Sequence, residues 1–283
     1  MSDSDTATQS GPNRNSDLPT RFAAGVVMIA VAAGATYASG WIFRILAVLA
    51  GALMLLEWGD MHRVRRPSTW IAVLLLIIPL LALFEYYFPA ALNNFYDGSY
   101  ELLEEGFPGF ALVAGLAVVA WLVSLRVAMG WGFVYIGAPT FALVFLNWVW
   151  FQLTFWILLV TWATDIFAYF AGRAVGGPKL APRVSPNKTW SGLVGGAVGA
   201  GVVGWIAGYY LQLDAVFLYI GAPMGLIAQL GDLYESSVKR RLGIKDSGRI
   251  LPGHGGLLDR LDGLLPVVIA TFIVLVLLSL GYL

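Results

Sequence analysis

A chain of 283 residues with 59% hydrophobic and 12% charged side chains carries about half the charge of an ordinary soluble domain, where roughly a quarter of residues are charged, and so reads as a membrane protein. Its 17 Lys and Arg balance 17 Asp and Glu, so no net basic field points to nucleic acid and no such partner is expected. Cysteine is absent, which excludes disulfides, thiolate nucleophiles and cysteine-ligated metal centres.

Residues 1–20 are rich in Ser, Asp, Asn, Thr and Pro without an apolar period and are expected to form a disordered tail; no secretory signal is expected in them. Apolar runs follow near 22–38, 41–58, 69–88, 109–129, 132–147, 150–171, 191–211, 215–234 and 264–282, each close to the ~20 residues that cross hydrocarbon as a helix. The expected fold is therefore all-α and polytopic, with about nine transmembrane helices. Helices one to three occupy 21–107, helices four to six 108–171, and the region 172–283 holds the last three with two long polar loops. On this plan the Lys and Arg residues fall on or near one side, with Arg44, inside the second run, as the ambiguous one. The opposite loops hold Asp97, Glu101, Glu104, Glu105 and Asp214. The positive-inside rule then places the N-terminus and the two polar loops in the cytoplasm and the C-terminus outside. The stretch 89–108 is expected to lie outside, with a short interfacial piece, and Trp148, Trp150, Phe151, Phe155 and Trp156 resemble an aromatic belt that faces lipid or packs helices. No internal repeat stands out, so the inverted symmetry of many transporters is not supported.

In the sixth run Thr161, Asp165 and Tyr169 recur every fourth residue on one helix face. An ionisable group this deep costs roughly 3 kcal/mol on insertion scales and normally faces a polar interior; neutralisation by Arg173 or an interhelical hydrogen bond is the plainer alternative. The following segment, Gly176 to Gly192, alternates Lys179, Arg183, Ser185, Lys188, Thr189 and Ser191 with prolines that preclude a regular helix. Amides, hydroxyls and lysines in such a stretch can wrap phosphates, although it lacks the spacing of a Walker loop. Gly192, Gly195, Gly196 and Gly199 then open the seventh helix at a spacing suited to close helix packing.

The eighth run leads into Asp232 and Glu235, three apart, and Asp259 and Asp262 repeat that spacing before the ninth, with Asp246 between. Carboxylates at one membrane level suit Mg²⁺, which combines a few of them with waters and phosphate oxygens. Simple pairing with Arg240, Lys245 and Arg260 would balance the charge equally well, but leaves unexplained the Gly253-His254-Gly255-Gly256 segment, which permits close backbone approach.

The run from Ser237 to Asp262, including Lys239-Arg240, Lys245-Asp246-Ser247-Gly248 and Leu251-Pro252-Gly253-His254-Gly255-Gly256-Leu257-Leu258-Asp259-Arg260-Leu261-Asp262, resembles the signature of the phosphatidate cytidylyltransferases, or CDP-diacylglycerol synthases. The Asp165-to-Arg173 and Lys179-to-Thr189 runs are similar to that family's pattern too, while Ser191 departs from it, standing where Glu is common. The resemblance implies an integral enzyme of the plasma membrane, or of the inner membrane where a bacterium has two. It implies transfer of CMP from CTP to phosphatidate, with Mg²⁺, a second monovalent cation such as K⁺, and membrane lipid as partner. It further implies a metal site from Asp232, Asp246, Asp259 and Asp262, and His254 as a residue that positions a phosphate or the loop, or moves a proton. Substrate contacts would come from Asp165, Lys179, Ser185, Lys188, Thr189, Ser237, Lys239, Arg240, Lys245, Gly255, Gly256 and Arg260. A homodimer is left open. A CTP-dependent lipid kinase, a cytidylyltransferase for an isoprenoid phosphate, and a polytopic transporter are the alternative readings; the cytoplasmic placement of most polar residues argues against transport, whose sites gather at the midplane.

Overall fold

A computed structural model of the protein describes residues 18–83, 102–248 and 255–282. Helix α1 (Leu18–Ala38) begins inside the expected tail, whose first 17 residues lie outside the described part, as does the stretch before Leu102 in the expected interfacial segment. After it come α2 (Gly40–Met61), α3 (Arg66–Ile78) with a π-helical turn at Pro79–Leu83, and α4 (Leu102–Ser124). Then follow α5 (Val127–Gly132), a second π turn at Phe133–Gly137, α6 (Ala138–Val149) and α7 (Phe151–Ala174). Strands β1 (Lys179–Ala181) and β2 (Ser185–Thr189) lead into α8 (Trp190–Tyr210), α9 (Ala215–Tyr219), α10 (Gly221–Arg241), α11 (Leu258–Leu261) and α12 (Leu264–Ser279).

Five helical stretches among the described residues are long and apolar enough to cross a membrane: Gly40–Met61, Phe107–Ser124, Val127–Val149, Phe151–Ala174 and Trp190–Tyr210. Three shorter apolar helices, Gly25–Ala38, Arg66–Ala82 and Leu264–Ser279, accompany them. The chain is an integral membrane protein. The all-α expectation needs one correction. The segment after α7 folds as an antiparallel hairpin in which Lys179 pairs with Thr189 and Ala181 with Ser185. Pro178, Pro182 and Pro186 deny this stretch a helical ladder, and the main chain finds partners across the turn instead.

The core is aromatic and aliphatic, with Trp58, Trp156, Phe133, Phe145 and Phe217 fully enclosed. Trp156, one of the residues of the expected belt, packs inward and donates its indole N–H to the Gly204 carbonyl at 2.8 Å. Helix α8 reverses the pattern of a soluble amphipathic helix. Gly192, Gly196, Gly199, Ala200 and Gly204 are buried, while Val194, Val198, Val202 and Trp205 are exposed. Small residues inward let backbones approach, and large ones outward suit lipid. The approach is tight: a methyl group at Gly196 would lie 3.0 Å from the Thr164 carbonyl of α7 and 2.8 Å from Gln229 Nε2 of α10. Gly231 does the same where α10 crosses α12, since a methyl there would lie 2.6 Å from the Asp262 carbonyl oxygen. These two crossings bring the polar ends of α7, α8, α10 and α11 together.

Candidate active site

A cleft of about 620 Å³ opens between α7, the hairpin, α8 and α10. Asp165, Tyr169 and Arg173 line it from α7, Asn187, Lys188 and Thr189 from β2, Gly192 from α8, and Gln229 and Asp232 from α10. Helix periodicity puts Asp165, Tyr169 and Arg173 on one face, and Arg173 donates to the Tyr169 hydroxyl at 2.8 Å. The alternative reading, neutralisation of Asp165 by Arg173, has no counterpart in that bond, which goes to the phenol. Across the cleft Lys188 Nζ lies 2.6 Å from Asp232 Oδ2, with the two side chains 20% and 35% exposed, and Ser236 donates to Asp232 Oδ1 at 3.2 Å.

Thr189 caps α8: its hydroxyl accepts from the Gly192 N–H at 3.1 Å and shares a hydrogen bond with Ser191. Ser191 also donates to the Gly176 carbonyl, which binds the start of the hairpin to its end. The result is a helix N-terminus, with its positive dipole end, beside a lysine at the edge of the cleft. Gln229, 5% exposed, donates to the Leu193 carbonyl at 3.0 Å and fixes α10 against that end.

A second polar layer lies behind α10. Lys239, 9% exposed, places Nζ 2.6 Å from Glu235 Oε2 and 2.6 Å from Asp259 Oδ1. Asp259 also accepts from the Ser247 N–H, at 3.1 and 3.0 Å to its two oxygens, and from the Gly256 N–H at 2.9 Å. Burial works against its charge, but Lys239 and these backbone donors outweigh it and hold the carboxyl below the usual carboxylate range. Asp262 has the opposite balance. Burial, then the charges of Asp232 and Glu235, push it well above that range, and the Gly263 N–H at 2.8 Å only partly offsets them.

The two carboxylate pairs spaced three apart are thus each divided between the layers. Asp232 lines the cleft and Asp262 lies near enough for their charges to interact, while Glu235 and Asp259 close on Lys239 in the interior. Asp246 is exposed on the loop beside Gly255, which has φ +82 and where a methyl group would lie 3.7 Å from Asp246 Cβ and 2.9 Å from Asp259 Oδ2. Among the described residues no three Asp, Glu or His side chains are gathered closely enough to hold a metal ion by themselves. Arg240 reaches the backbone, donating to Val184 of the hairpin turn at 3.2 Å and to Ile244 at 3.3 Å, and so links the two polar loops. Lys179, Lys245 and Arg260 are exposed, whereas Ser185 and Ser237 are half-buried. His254 lies outside the described residues.

Sequence reasoning missed Glu57. It is 3% exposed near the C-terminal end of the apolar helix α2 and accepts from Ser247 Oγ at 3.2 Å and from the Leu257 and Leu258 N–H groups at 2.9 Å each. A carboxylate inside an apolar run was the available signal, since such a group normally has a polar partner. Nearby, the Trp58 indole donates to the Ala128 carbonyl at 2.8 Å, and the Tyr135 ring packs 5.5 Å from Trp58 and 5.1 Å from Tyr234. Tyr135 sits on the second π turn, where the helix is locally unwound beside the polar layers.

A family model described as the cytidylyltransferase family matches residues 19–278. The chain is similar to the phosphatidate cytidylyltransferase of Brucella abortus biovar 1 (strain 9-941), at 36% identity over 269 residues, covering 88% of this chain and 90% of that protein. It is similar to the phosphatidate cytidylyltransferase of Rickettsia bellii (strain RML369-C), at 41% over 149 residues, 47% of this chain and 63% of the relative. The Bacillus subtilis (strain 168) protein of the same name is 45% identical over 128 residues, 44% of this chain and 48% of the relative.

Proposed function

The chain belongs to the cytidylyltransferase family, and on that premise we propose that it transfers CMP from CTP to phosphatidate, yielding CDP-diacylglycerol and pyrophosphate for phospholipid synthesis. The observation that carries the reading is the cleft itself. A cavity of about 620 Å³ joins a lysine, aspartates and a capped helix N-terminus at the end of lipid-exposed helices, where a water-soluble nucleotide and a lipid phosphate can meet.

In the transfer, a phosphate oxygen of phosphatidate attacks the α-phosphorus of CTP, the new P–O bond forms, and the bond from that phosphorus to the β-phosphate oxygen breaks. The electron pair leaves with pyrophosphate. The nucleophile is already anionic, so no side chain has to remove a proton, and catalysis consists of positioning and charge stabilisation. Lys188 and the α8 N-terminus hold phosphate oxygens. Thr189 keeps that terminus in place through its cap, and Asp165 with Tyr169 shapes the wall that faces the lipid side.

Asp232 and Asp262 suit a Mg²⁺ site: their charges interact, no three carboxylates among the described residues form a metal cage of their own, and Mg²⁺ completes its shell with waters and substrate phosphates. Bound there, the ion would supply charge neutralisation to the phosphates and oppose the burial and the neighbouring carboxylate charges that raise Asp262 above the usual carboxylate range. Asp259 and Lys239 support the loop from behind, and Asp246 stands at the loop's exposed edge.

The wider arrangement we read is nine membrane-crossing segments, with the N-terminus and cleft cytoplasmic and the C-terminus outside, as the distribution of Lys and Arg supports. Because the chain has no cysteine, single cysteines introduced at Arg183 and Asp214 report sidedness cleanly; labelling of both from one side of the membrane would overturn this arrangement. For the reaction, CTP labelled at the α-phosphate is incubated with phosphatidate in detergent, with and without Mg²⁺. Label should enter the lipid and pyrophosphate should be released only with the metal. Transfer of γ-label with release of CDP would mark a kinase instead. Substituting KCl for NaCl in the same assay tests for the monovalent cation.

A further inference from the structure

We infer that Glu57 is a positioning residue for the transfer: the second helix supplies a buried carboxylate that fastens both ends of the Ser247–Leu258 segment and thereby aims Asp262. The inference rests on the proposed CTP-dependent transfer.

Glu57 Oε1 accepts the Leu257 N–H at 2.9 Å, and Oε2 accepts the Leu258 N–H at 2.9 Å and the Ser247 hydroxyl at 3.2 Å. From the other side, Asp259 accepts the Ser247 and Gly256 N–H groups. Two carboxylates that are close in space, from positions 57 and 259, thus zip 247–248 against 256–258. Ser247 belongs to both, giving its N–H to one and its hydroxyl to the other. Two glycines of this segment, Gly248 and Gly256, have a matching explanation. A methyl group at Gly248 would lie 2.5 Å from Glu57 Oε1, and one at Gly256 would collide first with Ser247 Oγ and lie 2.7 Å from Glu57 Oε2 and 2.8 Å from the Gly248 nitrogen. Both positions are kept clear for the packing of Glu57 and Ser247 between the two ends of the segment. Because Leu257 caps α11, Leu258 opens it and Asp262 follows one turn later, the hydrogen bonds to their N–H groups fix where the helix starts and hence where the Asp262 carboxylate stands relative to Asp232, the aspartate of α10 that lines the cleft.

Glu57→Gln is the informative variant. However the amide is turned, its NH₂ faces the Leu257 or the Leu258 N–H, so at least one bond is replaced by a donor–donor clash. A slight misplacement of a catalytic group costs on the order of a hundredfold. The full-length variant is therefore expected to lose about ten- to a hundredfold in kcat while its KM for CTP stays within about threefold. Amide exchange at 246–248 and 256–258 should rise in the same protein without substrate. Glu57→Asp, which keeps the charge but shortens the reach, should recover part of kcat. Gly51→Ala is the control: its methyl would press on Thr140 Oγ1 at 2.6 Å, disturbing α2 two turns away, and it should lower the Tm while sparing kcat and loop protection.

Wild-type kcat in Glu57→Gln, unchanged exchange in its loop, or a kcat loss no greater than Gly51→Ala shows at equal Tm overturns the inference. If the wild-type chain makes no CDP-diacylglycerol, the functional reading falls, while the exchange measurement still decides whether Glu57 holds the loop.

Discussion

Lys188 and Lys239 each hold a carboxylate at 2.6 Å, yet the first pair is 20% and 35% exposed while Lys239 and Asp259 are 11% exposed each, with Glu235 at 0%. The open pair lines a cleft, where under the proposed function Lys188 exchanges its partner for a phosphate. The enclosed group is committed, because Asp259 also receives backbone N–H groups and Glu235 has no access to water. The same residue types therefore divide into a layer open to the cleft and a layer that holds the loop. Water access, rather than charge, separates them.

The contrast is tested most severely by Lys239→Ala, which leaves Glu235 and Asp259 buried without their cation. Breaking a buried pair in this way costs about 3–5 kcal/mol, so the Tm in detergent should fall by many degrees; an unchanged Tm with lost activity would move Lys239 into the chemical layer. Asp232→Asn or Asp262→Asn should do the reverse. Each should reduce kcat on the order of a hundredfold or more, as loss of a preorganised electrostatic contact does, with little change in Tm; either variant retaining full activity with Mg²⁺ would break the assignment.

Lys188→Ala removes a charge-assisted contact of roughly 1.5–3 kcal/mol, so an increase on the order of ten- to a hundredfold in KM for at least one substrate is expected. Identical KM values for CTP and phosphatidate would sharpen the division differently, by restricting Lys188 to orienting Asp232. The smallest effect concerns pH. Asp262 is held above the usual carboxylate range, so the folded, metal-free protein binds its proton more tightly than the unfolded chain. Stability from this group is full below the ordinary carboxylate value and is lost as pH rises through the raised one. Mg²⁺ should remove that loss, so its Tm increment should grow with pH and disappear in Asp262→Asn. A pH-independent increment would place the ion elsewhere.

Much of this division was latent in the sequence and part of it was not. The apolar runs that became helices were legible because a membrane demands their length and composition. The carboxylates spaced three apart were legible too, but not their separation into two layers. Residues i and i+3 share a helix face, and only the neighbouring elements decide which of them meets water. The hairpin from Lys179 to Thr189 showed itself only as a stretch that could not be helical, since its prolines exclude one structure without specifying another. Glu57 was hidden by distance: its partners Ser247 and Leu257 lie 190 and 200 positions away, and no local pattern encodes such a contact. Lys239 and Lys188 look equivalent in the sequence, and only packing reveals which one remains in reach of solvent.

Helix α8 carries two alphabets. Along Val194, Val198, Val202 and Trp205 the requirement is merely greasiness, so many residues are interchangeable there and the sequence can drift. Along Gly192, Gly196 and Gly204 the neighbouring backbone leaves no room for a side chain, and drift is forbidden. The membrane and the cleft therefore impose separate substitution rules on one helix, and the protein can adapt to a different bilayer without disturbing the place where its substrates meet.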